Sequence, residues 1–187
     1  MDPKQDSDEA LMEMIKNDNP EAARLLFLRY RSRIFGFFRQ QTSDSLLSED
    51  LTQDVFERMI RYRSSYREGY CFQHWIFQIA RNVRRDNLKN ESKFIGSRSE
   101  DSRLEKASGE DPYEKIFRKE ENQKLHLALQ KLEATELELI YLSKFEKMKY
   151  SDISRITGQS ENSVKVAVHR ALKQLKSHFF QQEKKEI

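Results

Sequence analysis

The sequence predicts an all-α protein made of two small helical domains joined by a flexible linker. Only 5 Gly and 3 Pro occur in 187 residues, too few for the many turns of an all-β chain. Apolar residues recur at spacings of three and four in two stretches, a pattern typical of amphipathic helices. The polar segment between them has too few apolar residues to form a core. We therefore expect a helical bundle over residues 1–90, a linker over 91–118 and a second helical domain over 119–187.

The first domain is predicted to contain a short amphipathic helix followed by three longer ones. Asn19 is a candidate N-cap, with Pro20 at the first helical position of a long helix that carries one apolar face. Ser48 is a candidate cap for the next helix. An aromatic and basic loop over residues 61–69 then interrupts the pattern, which resumes with a helix from Phe72.

The second domain ends in two helices separated by a turn that contains glycine. Thr135 and Glu138 fit a capping box at the start of the helix that comes before these two helices. A short helix is predicted to begin at Ser151 and to end at Gly158, and a longer basic helix to begin at Ser160. This order is the layout of a helix-turn-helix.

Charge is distributed unevenly along the chain, although the net charge is only +3. Residues 1–57 carry 7 Lys and Arg against 12 Asp and Glu, a net charge of −5. Residues 58–89 carry 8 against 2, a net charge of +6, and residues 165–182 carry 4 against none. This separation favours an acidic surface for a protein partner and basic surfaces for a polyanion, although solvated helix faces would explain the charge equally well.

Several functional classes are disfavoured by what the sequence lacks. The one cysteine, Cys71, cannot form an intramolecular disulfide, and no stretch approaches the ~18 apolar residues of a membrane span. Residues 1–8 are polar and acidic, unlike a signal peptide, so we expect a cytoplasmic protein without membrane insertion. The four histidines are scattered, and neither a P-loop nor a dinucleotide glycine motif occurs. We expect no cofactor and no enzymatic activity.

The helix-turn-helix is the most informative segment for function. An ordinary three-helix bundle with a lysine-rich exposed face is the alternative, and the absence of acidic residues over 165–182 favours DNA binding. Residues early in the second helix reach base edges in the major groove, and later ones reach phosphates. The residues predicted to face outward are Asn162, Ser163, Lys165, Val166, His169, Arg170 and Lys173.

Two blocks of motifs resemble a known family. The segment NSVKVAVHRALKQL at residues 162–175 is similar to region 4 of extracytoplasmic-function (ECF) sigma factors of the sigma-70 family, whose helix commonly reads GTVKSRLHRARKQL. EDLTQDVF at residues 49–56 resembles the family's region 2 helix, typically EDLVQEVF. FQHWIFQIARN at residues 72–82 resembles the family pattern F-x-x-W-L-x-x-I-A-x-N, with Ile76 in place of Leu. On these motifs the chain is identified as a member of the ECF group, with region 2 in the first domain and region 4 in the second.

The resemblance implies a function in transcription initiation. It predicts a protein that binds core RNA polymerase, reads the −10 and −35 promoter elements and directs DNA melting. The implied partners are core polymerase, promoter DNA as duplex and as melted non-template strand, and an anti-sigma factor. Asn162 stands where the family commonly has Gly, and Val166-Ala167 stand where it commonly has Ser-Arg. The −35 preference of other members therefore cannot be transferred to this chain.

An acidic helix face is the predicted contact with polymerase. By resemblance, Asp50, Gln53, Asp54 and Glu57 dock on the clamp helices of the largest polymerase subunit. Asp50 would equally well be explained by its position near a helix N-terminus. Gln53 and Asp54 have no such local explanation in the sequence.

An aromatic and basic surface is the predicted contact with the melted −10 strand. Aromatic rings stack on bases while cations follow the backbone, and Tyr66, Arg67 and Tyr70 in the loop are the favoured contacts. Trp75 is also assigned to this surface, although its place on an apolar stripe is better explained by a core position. The helix residues assigned to this surface are Arg81, Asn82, Arg84 and Arg85, with Asn82 matching the family's base-contacting asparagine. Asp86 can pair with Lys89 three residues on.

Two other functions remain to be distinguished. A stand-alone helix-turn-helix regulator acting as a dimer would bind duplex promoter DNA without polymerase. An RNA-binding regulator would use the stacking loop but not the major-groove helix. Neither function explains why one chain carries both an acidic helix and an aromatic loop.

Overall fold

The computed structural model describes residues 6–95 and 120–183, with side chains over 6–91 and 124–181. All regular elements within these ranges are helical, which confirms the all-α prediction. The chain divides into two compact units, residues 1–101 and 102–187, and each is described by itself. Most of the linker predicted over 91–118 lies outside the described residues, but its first five residues continue a helix.

Over residues 6–95 the first unit is a bundle of four α-helices. Asn19 caps the second of them as predicted, because its side chain accepts hydrogen bonds from the backbone N–H groups of Glu21 at 3.0 Å and Ala22 at 3.2 Å. The elements are α1 (Asp8–Lys16), α2 (Pro20–Thr42), α3 (Ser45–Arg61), a 3₁₀ turn (Arg63–Ser65) and α4 (Phe72–Ile95).

The start of α3 differs from the prediction. Asp44, not Ser48, is the N-cap, and its carboxylate accepts a hydrogen bond from the Leu47 N–H at 3.0 Å. Ser48 is buried, and its hydroxyl donates to the Asp44 carbonyl and contacts the Thr42 hydroxyl. Asp and Ser are both favourable N-cap residues, so residue type alone does not distinguish Asp44 from Ser48 as the cap. Asp50 consequently lies beyond the first turn, where the favourable effect of the helix dipole has faded.

Aromatic rings hold α2 against α4. Tyr30 packs edge-to-face on Phe72 with ring centroids 5.0 Å apart, and Phe37 packs on Phe77 at 5.7 Å. All four side chains are almost completely buried. Edge-to-face pairs contribute about 0.5–1.5 kcal/mol beyond the area that they bury. The aromatic core therefore gives α4 a fixed position on α2.

Helix α1 is joined to the rest of the bundle by its acidic side chains. Asp8 accepts hydrogen bonds from the Tyr30 hydroxyl at 2.5 Å and from Arg29 at 2.7 Å. Glu9 accepts a hydrogen bond from the Phe72 N–H at 3.0 Å, so it satisfies a backbone donor at the start of α4. Burial and the Asp8 carboxylate both raise the pKa of Tyr30 far above its ordinary value.

The second unit consists of shorter helices followed by one long helix. They are α5 (Glu120–Leu129), α6 (Ala134–Ile140), α7 (Tyr150–Thr157) and α8 (Glu161–Glu183), and a π-helical turn (Tyr141–Phe145) continues α6. The predicted capping box at Thr135 and Glu138 is wrong by two residues. The N-cap is Glu133, whose backbone N–H donates to the Glu136 carboxylate at 3.1 Å. The box with Glu as cap departs from the usual Ser/Thr pattern.

The predicted helix-turn-helix is confirmed in α7 and α8. Gly158 ends α7 in the left-handed region with φ 73°, and α7 begins one residue before the predicted Ser151. Ser160 precedes α8, and its hydroxyl accepts a hydrogen bond from the Ser163 N–H at 3.1 Å. The residues that fix the two helices against each other are Ile153, Ile156, Val164 and Val168, all buried.

Candidate protein and nucleic-acid interfaces

The acidic face of α3 is exposed along its length. Asp50, Gln53 and Glu57 are exposed, and Asp54 is half-buried. These positions recur at intervals of three and four, which places them on one side of the helix. Gln53 Nε2 donates to Glu57 Oε1 at 3.2 Å. All four predicted residues therefore share one polar face, and three of them are open to a partner.

Arg58 has a structural role that the sequence did not reveal. Its Nε and Nη2 donate to the two carboxylate oxygens of Asp54 at 2.9 and 3.0 Å, and its Nη1 donates to Asp86 Oδ2 at 2.7 Å. Asp54 thus has a local partner, contrary to the sequence-based expectation. Asp86 forms an ion pair with Arg58 on α3, and the hydrogen bond from Arg58 lowers the pKa of Asp86.

The loop between α3 and α4 places its aromatic residues differently from the prediction. Tyr66, expected to contact DNA, is only 2% exposed, and its hydroxyl donates to the Tyr70 carbonyl. Its ring packs edge-to-face on Trp75 at 5.2 Å, and Lys16 Nζ lies 5.4 Å from its centroid. Trp75, expected in the core, is partly exposed. Tyr66 folds inward although it stands in a loop, because its hydroxyl finds a backbone acceptor there.

The other loop residues remain accessible. Arg67 is exposed and Tyr70 is half-buried, as a contact surface requires. Tyr62, at the end of α3, is 48% exposed. Burial, followed by the negative charge of Glu9, raises the pKa of Tyr66 to about 12, so this tyrosine is a neutral support beneath the loop at physiological pH.

The arginines of α4 differ in their exposure. Arg85 is exposed, and its Nη2 donates to the half-buried Asn82 at 3.2 Å. Arg81 is half-buried. Arg84, expected to meet phosphates, is only 12% exposed and donates to Asn87 Oδ1 at 2.7 Å. Burial lowers the pKa of Arg84. The Arg84 side chain is therefore largely covered by the protein and does not lie on the outer face of α4.

The long helix α8 presents the predicted recognition residues on one side. Val164, Val168 and Ala171 are buried on the opposite side, where they pack the unit's core. The charged and polar side is continuous over four turns. All seven predicted residues are exposed: Asn162, Ser163, Lys165, Val166, His169, Arg170 and Lys173.

A basic depression next to the loop includes a residue that the sequence did not single out. It has a volume of about 420 Å³ and is lined by Lys16, Arg61, Arg63 and Ser64. Arg63 donates to Asp18 at 2.7 Å, which ties the 3₁₀ turn to the connection before α2. Arg61 and Arg63 belong to the basic loop that was recognised, whereas Lys16 comes from α1, and only the tertiary structure brings it there.

Two classes of site are not found in the described ranges. Over residues 6–95 and 120–183, no three His, Cys, Asp or Glu side chains are grouped so that they could hold a metal ion. No helix in the same part of the chain is long and apolar enough to cross a membrane.

Comparison with known proteins gives matches across both units. The family model for sigma-70 region 2 matches residues 26–94, and that for sigma-70 region 4 matches residues 122–175. The RNA polymerase sigma factor CarQ of Myxococcus xanthus is 30% identical over 168 residues, covering 88% of this chain and 93% of CarQ. The ECF RNA polymerase sigma factor RpoE of Cereibacter sphaeroides is 27% identical, covering 90% and 93%.

Two solved structures share the fold. CnrH, in complex with the cytosolic domain of CnrY, is 18% identical with a TM-score of 0.65, covering 92% of this chain and 96% of CnrH. The sigma factor RpoE of Bartonella quintana, in complex with the anti-sigma factor NepR, is 21% identical with a TM-score of 0.63, covering 83% and 94%. At these identities the likeness concerns the fold alone.

Proposed function

This chain belongs to the sigma-70 family of RNA polymerase sigma factors, in its extracytoplasmic-function group, and from this we propose a division of labour among its exposed surfaces. A sigma factor gives core RNA polymerase its promoter preference and acts in transcription initiation. It performs no covalent chemistry, so each surface has to be explained by binding. The observation that carries the proposal is the presence, in one chain, of an acidic helix face and two separate cationic surfaces.

The acidic face of α3 is the proposed contact with core polymerase. Asp50, Gln53 and Glu57 are available there, and Arg58 fixes the side chain of Asp54. Complementary charge orients two proteins and raises their association rate. The position of Asp50 beyond the first turn of α3 supports a role in the interface over a role in stabilising the helix.

The loop and α4 are the proposed contact with the melted −10 strand. Arg67, Tyr70 and Trp75 provide a cation and partly exposed rings, and Asn82 and Arg85 follow on α4. Base stacking on an aromatic ring contributes about 1–3 kcal/mol per base, enough to hold a strand that is already separating. Arg81 is half-buried on the same helix. In this proposal Tyr66 and Arg84 support the surface from within and do not touch DNA.

The exposed side of α8 is the proposed contact with the −35 element. Residues near its N-terminus, such as Asn162 and Lys165, are in the part of a recognition helix that enters the major groove. Arg170 and Lys173 lie farther along, where side chains reach phosphates. Two weak promoter contacts on one polypeptide raise the effective concentration of the second once the first has formed.

An anti-sigma factor is the proposed regulatory partner, and the cytoplasm the proposed location, because core polymerase acts there. The support for such a partner is that two proteins of the same fold were solved in complexes, one of them with a named anti-sigma factor. A partner that covers the acidic face of α3 would prevent polymerase binding.

A binding experiment separates this function from that of a stand-alone dimeric regulator. The purified chain is added to a promoter fragment with and without core polymerase, and the complexes are separated by native electrophoresis. We expect a specific shift only when core polymerase is present. A specific shift by the chain alone, at a stoichiometry of two per fragment, would refute the proposal in favour of the dimeric regulator.

A further inference from the structure

The Arg58 guanidinium connects the proposed polymerase-binding helix to the proposed DNA-binding helix. It engages Asp54 on α3 with two parallel hydrogen bonds and reaches Asp86, 28 residues away on α4, with a third. Single surface ion pairs contribute little, but bidentate Arg–carboxylate geometry and networks of several charges are the exceptions. Arg58 meets both conditions, and its side chain is only 23% exposed.

Asp86 lies within the part of α4 that faces DNA in the proposed function. It follows Asn82 by one helical turn, and its neighbour Arg85 donates to Asn82 at 3.2 Å. The hydrogen bond from Arg58, followed by the charges of Arg58, Arg85 and Lys89, lowers the pKa of Asp86, and Arg58 Nη1 lies 2.7 Å from its carboxylate. A carboxylate would repel a DNA strand at this place, and DNA readout therefore does not explain why it is there. Its hydrogen bond with Arg58 on α3 explains its presence.

We propose that Arg58 is a positioning residue that sets the register of α4 against α3, so that polymerase bound to α3 and DNA bound to Asn82 are held in a fixed geometry. This rests on the proposed function of the two surfaces. Apolar packing joins α3 to α4, and buried rings hold α4 on α2, but the attraction between apolar groups is not directional. The forked guanidinium adds a directional contact between the polar faces of α3 and α4. Breaking the link to Asp86 leaves both surfaces intact but uncouples them.

The test uses holoenzyme reconstituted from full-length chain and core polymerase. Asp86→Asn removes the charge with little change in size, Arg58→Met removes the guanidinium, and Asp86→Glu keeps the charge. Strand opening is measured by permanganate reactivity at saturating core polymerase, and core affinity is measured separately. For Asp86→Asn we expect core affinity within about twofold of wild type and opening reduced about threefold to fivefold, the upper part of the range for an ion pair. Asp86→Glu should restore opening.

The double variant and a matched control complete the design. The opening defect of Arg58→Met with Asp86→Asn should be no larger than that of Arg58→Met alone, because both changes remove the same contact. Glu21→Gln removes the same charge from an exposed pair with Arg24, at 2.6 Å on α2, and should open normally. Wild-type opening by Asp86→Asn, or an equal loss of core affinity and opening, would overturn the inference. If wild-type chain neither binds core nor opens DNA, the proposed function itself has failed.

Discussion

Replacing Arg170 and Lys173 by Gln tests whether the exposed side of α8 neutralises DNA phosphates. Both side chains are exposed and lie on the side of α8 opposite the buried Val168 and Ala171, so the substitutions should leave the fold unchanged. Surface substitutions of this kind change stability by less than about 0.5 kcal/mol. The effect should appear in the salt dependence of binding, because each neutralised phosphate releases condensed counterions.

The magnitude follows from the number of cations removed. Each phosphate contact on duplex DNA contributes about −0.9 to the slope of log K against log salt, so two lost contacts make the slope shallower by about 1.8. When salt is raised from about 50 to about 200 mM, the variant should therefore lose about 12-fold less affinity than the wild type. The assay is fluorescence anisotropy of holoenzyme on a labelled duplex that contains only the upstream promoter element.

A charge-matched control excludes a general effect of net charge. Arg24→Gln with Arg31→Gln removes two exposed cations from α2 in the first unit and should leave the slope unchanged. An unchanged slope for the α8 variant, or an equal change in the control, would refute the assignment of α8 as the duplex-binding surface.

Three further predictions concern the interior and the polymerase face. Tyr66→Phe should cost about 1 kcal/mol in a denaturant titration, through loss of the hydrogen bond to the Tyr70 carbonyl. Because burial raises the pKa of Tyr66 from 10.0 to about 12, its neutral form stabilises the fold fully below pH 10, and that contribution is lost as pH rises through 12. The Phe variant should lack this alkaline loss, and an identical pH profile would contradict the buried placement. Gly158→Ala should lower stability by about 1 kcal/mol, since φ 73° disfavours a Cβ atom; an unchanged unfolding midpoint would exclude that strain. Gln53→Ala with Glu57→Ala should weaken core polymerase association about fivefold, with unchanged thermal unfolding, and equal affinity in a titration would remove these residues from the interface.

The periodic parts of the sequence predicted the fold well. The helix-turn-helix was evident because Gly158 is one of only five glycines and stands between two apolar patterns of helical spacing. The outward side of α8 followed directly from the positions of Val164 and Val168. The N-cap at Asn19 was clear because Pro20 marks the first helical residue. The caps predicted at Ser48 and Thr135, which have no such marker, were misplaced, since several polar residues near one another can each accept the same backbone hydrogen bond.

The parts of the interfaces that depend on tertiary contacts could not be predicted. Nothing in the sequence indicates that Tyr66 turns inward, because its partner is a backbone carbonyl and its neighbours come from α1 and α4. Arg84 and Arg85 are adjacent and identical in type, and only the direction of α4 decides that the Arg84 side chain is 12% exposed while Arg85 is exposed. Arg58 binds Asp86 on another helix, whereas local spacing in the sequence offered Lys89 as the partner of Asp86.

In vitro transcription with purified core polymerase on a genomic template library tests the central claim most directly. If the two cationic surfaces read promoter DNA while the acidic face of α3 holds polymerase, adding the chain should concentrate initiation at sites that share two conserved blocks upstream. The same initiation sites with and without the chain would contradict the account.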